Sequence, residues 1–391
     1  MTSGGTETTA ASDALSGHDD FVRLGGWPGA LGRILSGASL AEDEAAAVIG
    51  EVLDGAATPA QIAAVLVALR MKGETVHEMT GMVRAMLAHA VSIRVPGDVV
   101  DVVGTGGDRL ASINVSTLAA CIAAGAGVPV CKHGNRAASS SVGTADVLEA
   151  LGVAVDLGPH GVARCVESAG MGFCFAPRYH PAMRHAGPVR RELGIPTVLN
   201  FLGPLANPAR ARRQLVGVSD PRMAPKMAEV LGSNGSVHAM VVYADDGLDE
   251  LSVTSPSTVI EMVADTGAPE GFTLRSSRLE TEALGIRRAS MQDLRGGDAA
   301  FNGRVIRHVL EGEAGPRRDI GVLNAGAAIV VAGRAATISE GVAQATEALD
   351  SGRALAVLDG LVRVSCEEAE KERAAGAQPG AEGSGLPSAA T

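Results

Sequence analysis

The sequence predicts an α/β fold in which a helical region precedes a larger part built on a mostly parallel sheet. Two patterns carry this prediction. Between residues 39 and 90 apolar side chains recur at helical spacing, and from residue 99 onward short β-rich runs alternate with helical ones. Such alternation is typical of parallel sheets, because parallel strands need a crossover connection and become covered by helices on both faces.

Capping signals mark the helices of the first part. A Ser or Thr followed three residues later by Glu or Gln forms a capping box, in which side chain and backbone satisfy one another at a helix start. Boxes of this kind occur at Ser39 with Glu42, at Thr58 with Gln61, and at Thr75 with Glu78. We therefore expect three helices between residues 39 and 90.

The strands of the second part are predicted from short runs rich in β-branched and apolar residues. These runs are residues 99–103, 128–131, 173–175, 216–218 and 237–242. No fixed-period repeat is evident, which excludes a solenoid.

A Gly-rich turn follows the first predicted strand. Residues 101–117 read DVVGTGGDRLASINVST, so an apolar strand runs into Gly104, Gly106 and Gly107 and then into a polar helix start. Glycines can take positive φ and carry no Cβ, so successive N–H groups can line one concavity, and the helix N-terminus adds its dipole. The turn predicts a phosphate site, with tight packing alone as the alternative. It matches neither GxGxxG nor the GxxxxGK[ST] P-loop.

A second polar turn follows the next predicted strand. Residues 132–141 read KHGNRAASSS, and a helix is expected to begin near Thr144. Lys132 and Arg136 can neutralise phosphate charge, and Asn135 and the serines suit ribose or phosphate oxygens. Because the carboxyl ends of parallel strands meet at one sheet edge, we expect the two turns side by side. A solvated loop is the alternative for Lys132 and Arg136.

An acidic pair follows the last predicted strand. Asp249 and Glu250 end the sequence DGLDE, shortly after residues 237–242. This position would bring their carboxylates to the same sheet edge as the two turns. Mg²⁺ favours such hard oxygen ligands together with the phosphates of a substrate. Adjacent acidic residues in a turn are often only solvated, which is the alternative interpretation.

Composition and charge exclude several classes of function. The chain has 391 residues and a formal net charge of −11, with six Phe, two Tyr and one Trp. Binding of nucleic acid needs a basic face or aromatic platforms, so no nucleic-acid partner is expected. We see no apolar run of membrane-spanning length and no signal-peptide pattern, so we expect no membrane partner and a cytoplasmic location. The five cysteines show no CxxC pair or zinc spacing.

The motifs resemble, in order, those of the anthranilate phosphoribosyltransferase family. The resemblance covers roughly residues 31–361. It is carried by GTGGD at 104–108, NVST at 114–117, KHGNR at 132–136, FAPRYHPAM at 175–183, VRRELGIPT at 189–197, GPLANP at 203–208 and DGLDE at 246–250.

The resemblance implies a domain organisation. The implied architecture is that of nucleoside phosphorylases and phosphoribosyltransferases, in which the active site lies in the cleft between a helical and an α/β domain. We expect a helical domain over residues 21–95, with a returning helical region at about 187–212, and an α/β domain over 96–366 that binds the phosphoribosyl donor. A homodimer formed through the helical domain is also implied. Independently of the resemblance, residues 1–20 and 367–391 are poor in large apolar residues and rich in Gly, Ser, Thr, Ala and charge, so their composition predicts disordered tails.

The resemblance also implies a reaction in tryptophan biosynthesis. The 5-phosphoribosyl group of 5-phosphoribosyl 1-diphosphate (PRPP) is transferred to the amine of anthranilate, which gives N-(5-phosphoribosyl)anthranilate and diphosphate. The residues that it assigns to PRPP are Gly104, Gly107, Asp108, Ser112, Asn114, Val115, Ser116, Thr117, Lys132, His133, Gly134, Asn135, Arg136, Ala137, Ala138, Ser139, Ser140 and Thr144.

Anthranilate is assigned to Gly104, Asn135 and Arg190, with His133 beside them. Arg190 suits this role because a guanidinium can hold a carboxylate through two parallel N–H bonds, which lysine cannot do. We assign no general base. The amine of anthranilate is neutral at pH 7, so charge stabilisation and alignment can supply most of the catalysis.

The metal assignment likewise rests on the resemblance. It implies that Asp249 and Glu250 bind Mg²⁺ and that Ser116 holds a second ion through its hydroxyl. Two Mg²⁺ ions are therefore expected, and they would neutralise the diphosphate as it leaves.

Two other functions stay open at this point. A nucleoside phosphorylase of the same architecture would show a KHSxR-like loop where this chain has KHGNR. A non-catalytic relative that binds nucleic acid would need a basic surface, which the net charge of −11 disfavours.

Overall fold

The computed structural model describes residues 17–108, 110–137 and 142–376. In these residues an N-terminal helical domain precedes a larger α/β domain whose seven-stranded sheet is mostly parallel. The predicted fold class is confirmed. The expected PRPP ligands Ala138, Ser139 and Ser140 lie outside the described residues, as do residues 1–16 and 377–391 of the expected tails.

Helices α1 to α5 build the N-terminal domain. Their bounds are 17–23 for α1, Gly26–Leu35 for α2, Glu42–Leu53 for α3, Pro59–Lys72 for α4 and Val76–Ala88 for α5. The capping boxes predicted at Thr58 and Thr75 are confirmed, because each hydroxyl accepts the N–H of the residue three positions on.

The box predicted at Ser39 is wrong. Helix α3 begins at Glu42, so its N-cap position is Ala41. The carboxylate of Glu44 accepts the Ala41 N–H at 2.7 Å. The start of α3 is therefore capped by the carboxylate of Glu44, three residues after Ala41. Ser39 lies outside the helix start.

Further helices from the middle of the chain join this domain. They are α10 (Gly187–Leu193), which contacts α4, and α11 (Leu199–Leu202), which contacts α5. Val189, Leu199 and Leu202 belong to the same apolar core as the N-terminal helices. The segment that carries Arg190 is thus placed by the helical domain.

The sheet has the strand order β3-β2-β1-β4-β5-β6-β7. Neighbours from β3 to β5 are parallel, and β6 and β7 are antiparallel additions. The strands are β1 (Val100–Gly104), β2 (Val130–Gly134), β3 (Met171–Phe175), β4 (Arg213–Gly217), β5 (His238–Ala244), β6 (Ser257–Ala264) and β7 (Phe272–Leu279). The runs predicted as strands fall on β1 to β5.

Strands β6 and β7 escaped the prediction. Strand β7 reads FTLRSSRL and is exposed along almost its whole length, so it lacks the apolar signal of a buried strand. It is an edge strand, and charged side chains are a common protection of such edges. Strand β6 lies between β5 and β7 and pairs antiparallel with both.

Helices of the second part of the chain pack on the sheet or on the helices that cover it. They include α6 (Val115–Gly125), α7 (Thr144–Ala150), α8 (Pro159–Ala169), α9 (Ala176–Tyr179), α12 (Ala224–Ser233), α13 (Ala299–Leu310), α14 (Pro316–Val331), α15 (Ile338–Asp350) and α16 (Arg353–Gly376). Among them, α7, α13 and α15 pack on other helices. Successive side chains of β4 point into different cores: Leu215 joins that of the α/β domain and Val216 that of the helical domain. Within the described ranges, no helix combines the length and apolar character needed to cross a bilayer.

The expected tail boundaries are wrong where the structure describes them. Residues 17–20 belong to α1, which is anchored by buried Phe21 against the ring of Trp27. Residues 367–376 belong to α16, whose Glu372 accepts the Gly158 N–H at 2.8 Å. Tertiary contacts therefore order segments whose composition alone favours disorder.

Candidate active site

The two polar turns and the acidic pair meet at the carboxyl edge of the sheet. They line one cavity of about 440 Å³. The predicted site residues among its walls are Gly104, Gly107, Asp108, Ser112, Asn114, Val115, Ser116, Lys132, His133, Gly134, Asn135, Arg136, Ala137, Thr144, Asp249 and Glu250. The sheet topology thus brings together groups that lie far apart in the chain.

The first turn wraps around the acidic pair. Gly106 and Gly107 have φ of 65° and 85°, as their predicted role requires. The Gly106 N–H donates to Asp249 Oδ2 at 2.6 Å. Gly104 serves a different purpose from the other two, since a Cβ there would lie 2.7 Å from the same carboxylate oxygen. The lack of a side chain at Gly104 therefore leaves room for the Asp249 carboxylate.

The start of α6 is held from a segment that the motifs did not reveal. The side chain of Asn302 donates to Asn114 Oδ1 at 2.9 Å and accepts the Gly297 N–H at 2.8 Å. The Ile113 N–H donates to the Leu294 carbonyl at 3.0 Å. No sequence pattern predicts this support, because Asn302 lies inside a helical run without any motif.

Thr117 is placed differently from the other predicted PRPP residues. It is fully buried in α6 and does not line the cavity. Its hydroxyl has no hydrogen-bond partner among the described residues. Its backbone N–H donates to the Asn114 carbonyl at 3.1 Å, so within the described residues Thr117 packs within α6 and does not face the cavity.

Lys132 lies on the floor of the cavity and is 1% exposed. Its Nζ donates to the carbonyl of Val102 and to Ser116 Oγ, the latter at 3.1 Å. Burial lowers the pKa of this amine, while the carboxylates of Asp101 and Glu250 raise it. Lys132 thus contacts Ser116 at the start of α6 and partly balances the negative charge of Asp101 and Glu250.

The acidic pair is buried and short of positive charge. Asp249 and Glu250 are each 8% exposed. Burial, followed by the charge of Asp108, raises the pKa of Asp249 to about 6. Burial and then Asp249 raise the pKa of Glu250 well above its usual value, although Lys132 and the Ser116 backbone N–H oppose this. The carboxylates therefore resist ionisation unless a further cation joins them.

This deficit fits a divalent cation. Mg²⁺ is usually bound by one or two carboxylates and completes its shell with water and substrate phosphates. The part of the chain that the structure describes holds no cluster of three or more His, Cys, Asp or Glu side chains arranged as a metal cage. Asp249 and Glu250, beside a phosphate-type turn, instead match a site in which two carboxylates and the phosphates of a substrate share the cation.

His133 presents an unpaired nitrogen. Its Nε2 is buried and has no hydrogen-bond partner among the described residues. Burial and the neighbouring His180, whose ring centroid is 5.1 Å away, lower the pKa of His133 to about 3. The ring is therefore neutral near pH 7. Its other nitrogen is hydrogen-bonded to the backbone of Gly203, so Nε2 can only accept a hydrogen bond, and the ring is too weak a base to carry a proton at that pH.

Arg136 is engaged at the rim of the cavity. Its guanidinium pairs with Asp146 at 2.9 Å and Glu149 at 2.6 Å, and it lies 5.5 Å from the centre of the Phe175 ring. The neighbouring Asn135 accepts the Arg136 N–H at 2.7 Å. In this state the charge of Arg136 is already neutralised.

Arg190 is half-buried on α10 and does not line the cavity described above. Burial lowers its pKa. Its guanidinium forms no ion pair within residues 17–108, 110–137 and 142–376. The adjacent Arg191 is exposed. Arg190 is thus a partly desolvated cation with capacity for an external carboxylate.

Sequence comparisons match both parts of the chain to family models. Residues 28–90 match the helical bundle domain of a glycosyl transferase family, and residues 96–355 match the a/b domain of that family. The chain is 52% identical over 344 residues to the anthranilate phosphoribosyltransferase of Thermomicrobium roseum, which covers 88% of this chain and 98% of that protein. It is 49% identical over 341 residues to the Chloroflexus aggregans enzyme of the same name, with 87% and 98% covered.

Solved structures agree with these relatives. The anthranilate phosphoribosyltransferase of Thermus thermophilus superposes with a TM-score of 0.79 at 42% identity, covering 86% of this chain and 99% of that one. The Saccharomyces cerevisiae enzyme, in complex with PRPP and Mg, gives 0.73 at 27% identity, covering 83% and 92%. The chain therefore belongs to the anthranilate phosphoribosyltransferase family.

Proposed function

We propose that the cavity at the sheet edge binds PRPP with Mg²⁺ and that Arg190 presents anthranilate to it. The chain transfers the 5-phosphoribosyl group of PRPP to the amine of anthranilate, a reaction of tryptophan biosynthesis. The observation that carries the site assignment is the buried pair Asp249 and Glu250 beside a phosphate-type turn, where the pKa values of both carboxyls stay raised although Lys132 lowers that of Glu250.

Asp249 and Glu250 would hold Mg²⁺. A bound Mg²⁺ would neutralise the diphosphate of PRPP as negative charge develops on it. We propose two ions, the second held through the hydroxyl of Ser116. That hydroxyl now accepts from Lys132 Nζ at 3.1 Å, so its remaining lone pair is available to a cation. The yeast relative in complex with PRPP and Mg supports the metal.

PRPP is proposed to lie along the two turns. Gly107, Asp108 and the start of α6 from Asn114 to Ser116 line the cavity. Asn135 and Thr144 of the second turn line it as well. Backbone N–H groups and a helix N-terminus can bind phosphate oxygens, and the hydroxyl and amide groups can bind those of ribose. Arg136 would need to exchange an ion pair for a phosphate.

Anthranilate is proposed to bind through its carboxylate to Arg190, with Gly104, Asn135 and His133 near its ring. The yeast relative has been solved in complex with 4-fluoroanthranilate. The planar fork of Arg190 would fix the carboxylate in one orientation. The neutral His133 ring offers its unpaired Nε2 without adding charge.

Catalysis is then a matter of placement and charge. The low pKa of His133 fits the absence of a general base, because a neutral amine needs no deprotonation before it attacks. The residues of the chain align the amine with the ribosyl carbon and bind the leaving diphosphate. Closure of the helical domain over the cleft, through the segment that carries Arg190, would exclude water.

The function is tested by the loss of anthranilate fluorescence in a mixture of protein, anthranilate, PRPP and Mg²⁺. We expect a loss that depends on Mg²⁺. Asp249→Asn and Glu250→Gln are near-isosteric, and each should lower kcat and raise the Mg²⁺ concentration required. If both variants titrate with Mg²⁺ like the parent, the carboxylates are not ligands. Phosphate-dependent cleavage of nucleosides without loss of fluorescence would instead identify a phosphorylase.

A homodimer through the helical domain is the proposed assembly, and the cytoplasm the proposed location. Apolar side chains are exposed on this domain: Met71 is 82% exposed, Leu35 74% and Val22 60%. Exposed apolar groups on adjacent helices are typical of an interface. Light scattering should give twice the 39.5 kDa of one chain, and Met71→Glu should weaken that association.

A further inference from the structure

The turn that carries the acidic pair is clamped from two sides. On one side lies Gly217 at the end of β4, where a Cβ would collide with the backbone of Asp249. On the other side lies Asn324, which is fully buried in α14. Neither residue lines the cavity. The backbone beside the acidic pair therefore has little room to move.

Asn324 holds this backbone through two hydrogen bonds to one residue. Its Oδ1 accepts the Leu251 N–H at 3.0 Å, and its Nδ2 donates to the Leu251 carbonyl at 2.8 Å. The second hydrogen of Nδ2 goes to the carbonyl of Ile320 at 2.9 Å, one turn back in α14. A single amide thus satisfies both backbone polar groups of Leu251, the residue next to Glu250.

The turn is also held at other points: the Gly106 N–H donates to Asp249 Oδ2 at 2.6 Å, and the Ala244 N–H donates to the Leu248 carbonyl at 3.1 Å. Ser257 Oγ accepts the Ser252 N–H at 3.0 Å, and Ala289 donates to the Val253 carbonyl at 2.9 Å. A buried amide that only stabilised α14 would need no bond outside its helix. Two of the three hydrogen bonds of the Asn324 side chain go to Leu251, which indicates that Asn324 stabilises the turn.

We propose that Asn324 is a positioning residue for the carboxylates of Asp249 and Glu250. It acts through Leu251 and fixes the distance between the carboxylates and the first turn. This inference rests on the proposed role of Asp249 and Glu250 as metal ligands. Loss of the Asn324 amide would let the turn shift, and a cation held by both carboxylates would bind less tightly.

The test measures binding of Mn²⁺ in the presence of PRPP, by the loss of the electron paramagnetic resonance signal of the free ion. Asn324→Leu keeps the volume and removes the amide. Asn324→Ala is the second variant, because alanine is the best helix former and tolerates the loss with less risk to folding. Leu323→Ala is the matched control: Leu323 is also fully buried in α14, but its apolar side chain forms no hydrogen bond to the turn.

We expect Mn²⁺ affinity to fall about tenfold in both Asn324 variants, as the loss of one or two hydrogen bonds predicts. It should stay at the parent value in Leu323→Ala. Amide hydrogen exchange of residues 246–256 should become faster only when Asn324 is replaced. Glu250→Gln serves as the reference for loss of a ligand and should weaken Mn²⁺ binding at least as strongly.

The outcomes separate the two proposals. Parent-like Mn²⁺ affinity in Asn324→Ala, with weakened binding in Glu250→Gln, would overturn the positioning role and leave the ligand assignment intact. An equal loss in Leu323→Ala would also overturn it, because the effect would then reflect general destabilisation. Parent-like affinity in Glu250→Gln would refute the ligand assignment itself and the positioning role with it.

Discussion

Gly217→Ala is the substitution for which the structure gives the sharpest expectation. Gly217 is the last residue of β4 and pairs with Gly104 of β1 and Val242 of β5. A Cβ at this position would overlap the Asp249 carbonyl oxygen and lie 2.5 Å from its carbon. The neighbouring atoms belong to backbone, so no side chain can rotate out of the way.

The size of the effect follows from this distance. Carbon atoms in contact lie about 3.5–4.0 Å apart, so the Asp249 backbone must move away by about 1 Å or more. The strand that bears Gly217 is fixed by neighbours on both sides and cannot move instead. Misplacement of catalytic groups by 1 Å costs about a hundredfold in rate. We expect kcat/KM to fall by about that factor, and overpacking to lower the free energy of unfolding by about 1–3 kcal/mol.

The assay is the loss of anthranilate fluorescence as a function of Mg²⁺, together with urea unfolding. Gly50→Ala is the control, because Gly50 lies within α3 and a Cβ there meets nothing within 4 Å. That change should leave the kinetics untouched and stabilise the helix by about 0.5–1 kcal/mol. Parent-like kcat/KM and Mg²⁺ dependence in Gly217→Ala would refute the argument that this glycine positions the acidic pair.

Three further predictions concern charged groups. Arg190→Lys should raise the KM for anthranilate and leave that for PRPP nearly unchanged, since a point charge replaces a planar fork; an unchanged acceptor KM would make Arg190 a surface residue. Lys132→Met should weaken PRPP binding in calorimetry about ten- to a hundredfold; parent-like affinity would show that the Lys132 ammonium does not contact PRPP. Burial raises the pKa of Asp101 to about 6, so its contribution to stability is present at low pH and is lost as the pH rises through 6. From pH 5 to 8 the parent should lose about 1.4 kcal/mol more than Asp101→Asn, and equal slopes would refute this.

Several features of the protein follow from the sequence alone, because their causes are local. The capping boxes at Thr58 and Thr75 need only residues three positions apart, and both form as predicted. The runs on β1 to β5 are apolar because parallel strands are buried on both faces, so composition marks them. The sheet-edge convergence of the two turns and the acidic pair also follows, since parallel strands place their carboxyl ends together.

Other features depend on contacts between distant segments, which no local pattern records. Strand β7 is polar because it lies at the edge of the sheet. Ser39 does not cap α3, because the helix begins later than the box predicts and Glu44 bonds to its N-cap residue instead. The sequence leaves open whether Lys132 is a solvated loop cation, whereas in the structure it is buried at the floor of the cavity. The supports at Gly217 and Asn324 lie 32 residues before Asp249 and 73 residues after Leu251. The sequence by itself determined which groups can bind a phosphate and a metal; only the tertiary structure decided how firmly each is held, because burial and backbone pairing arise when distant strands and helices meet.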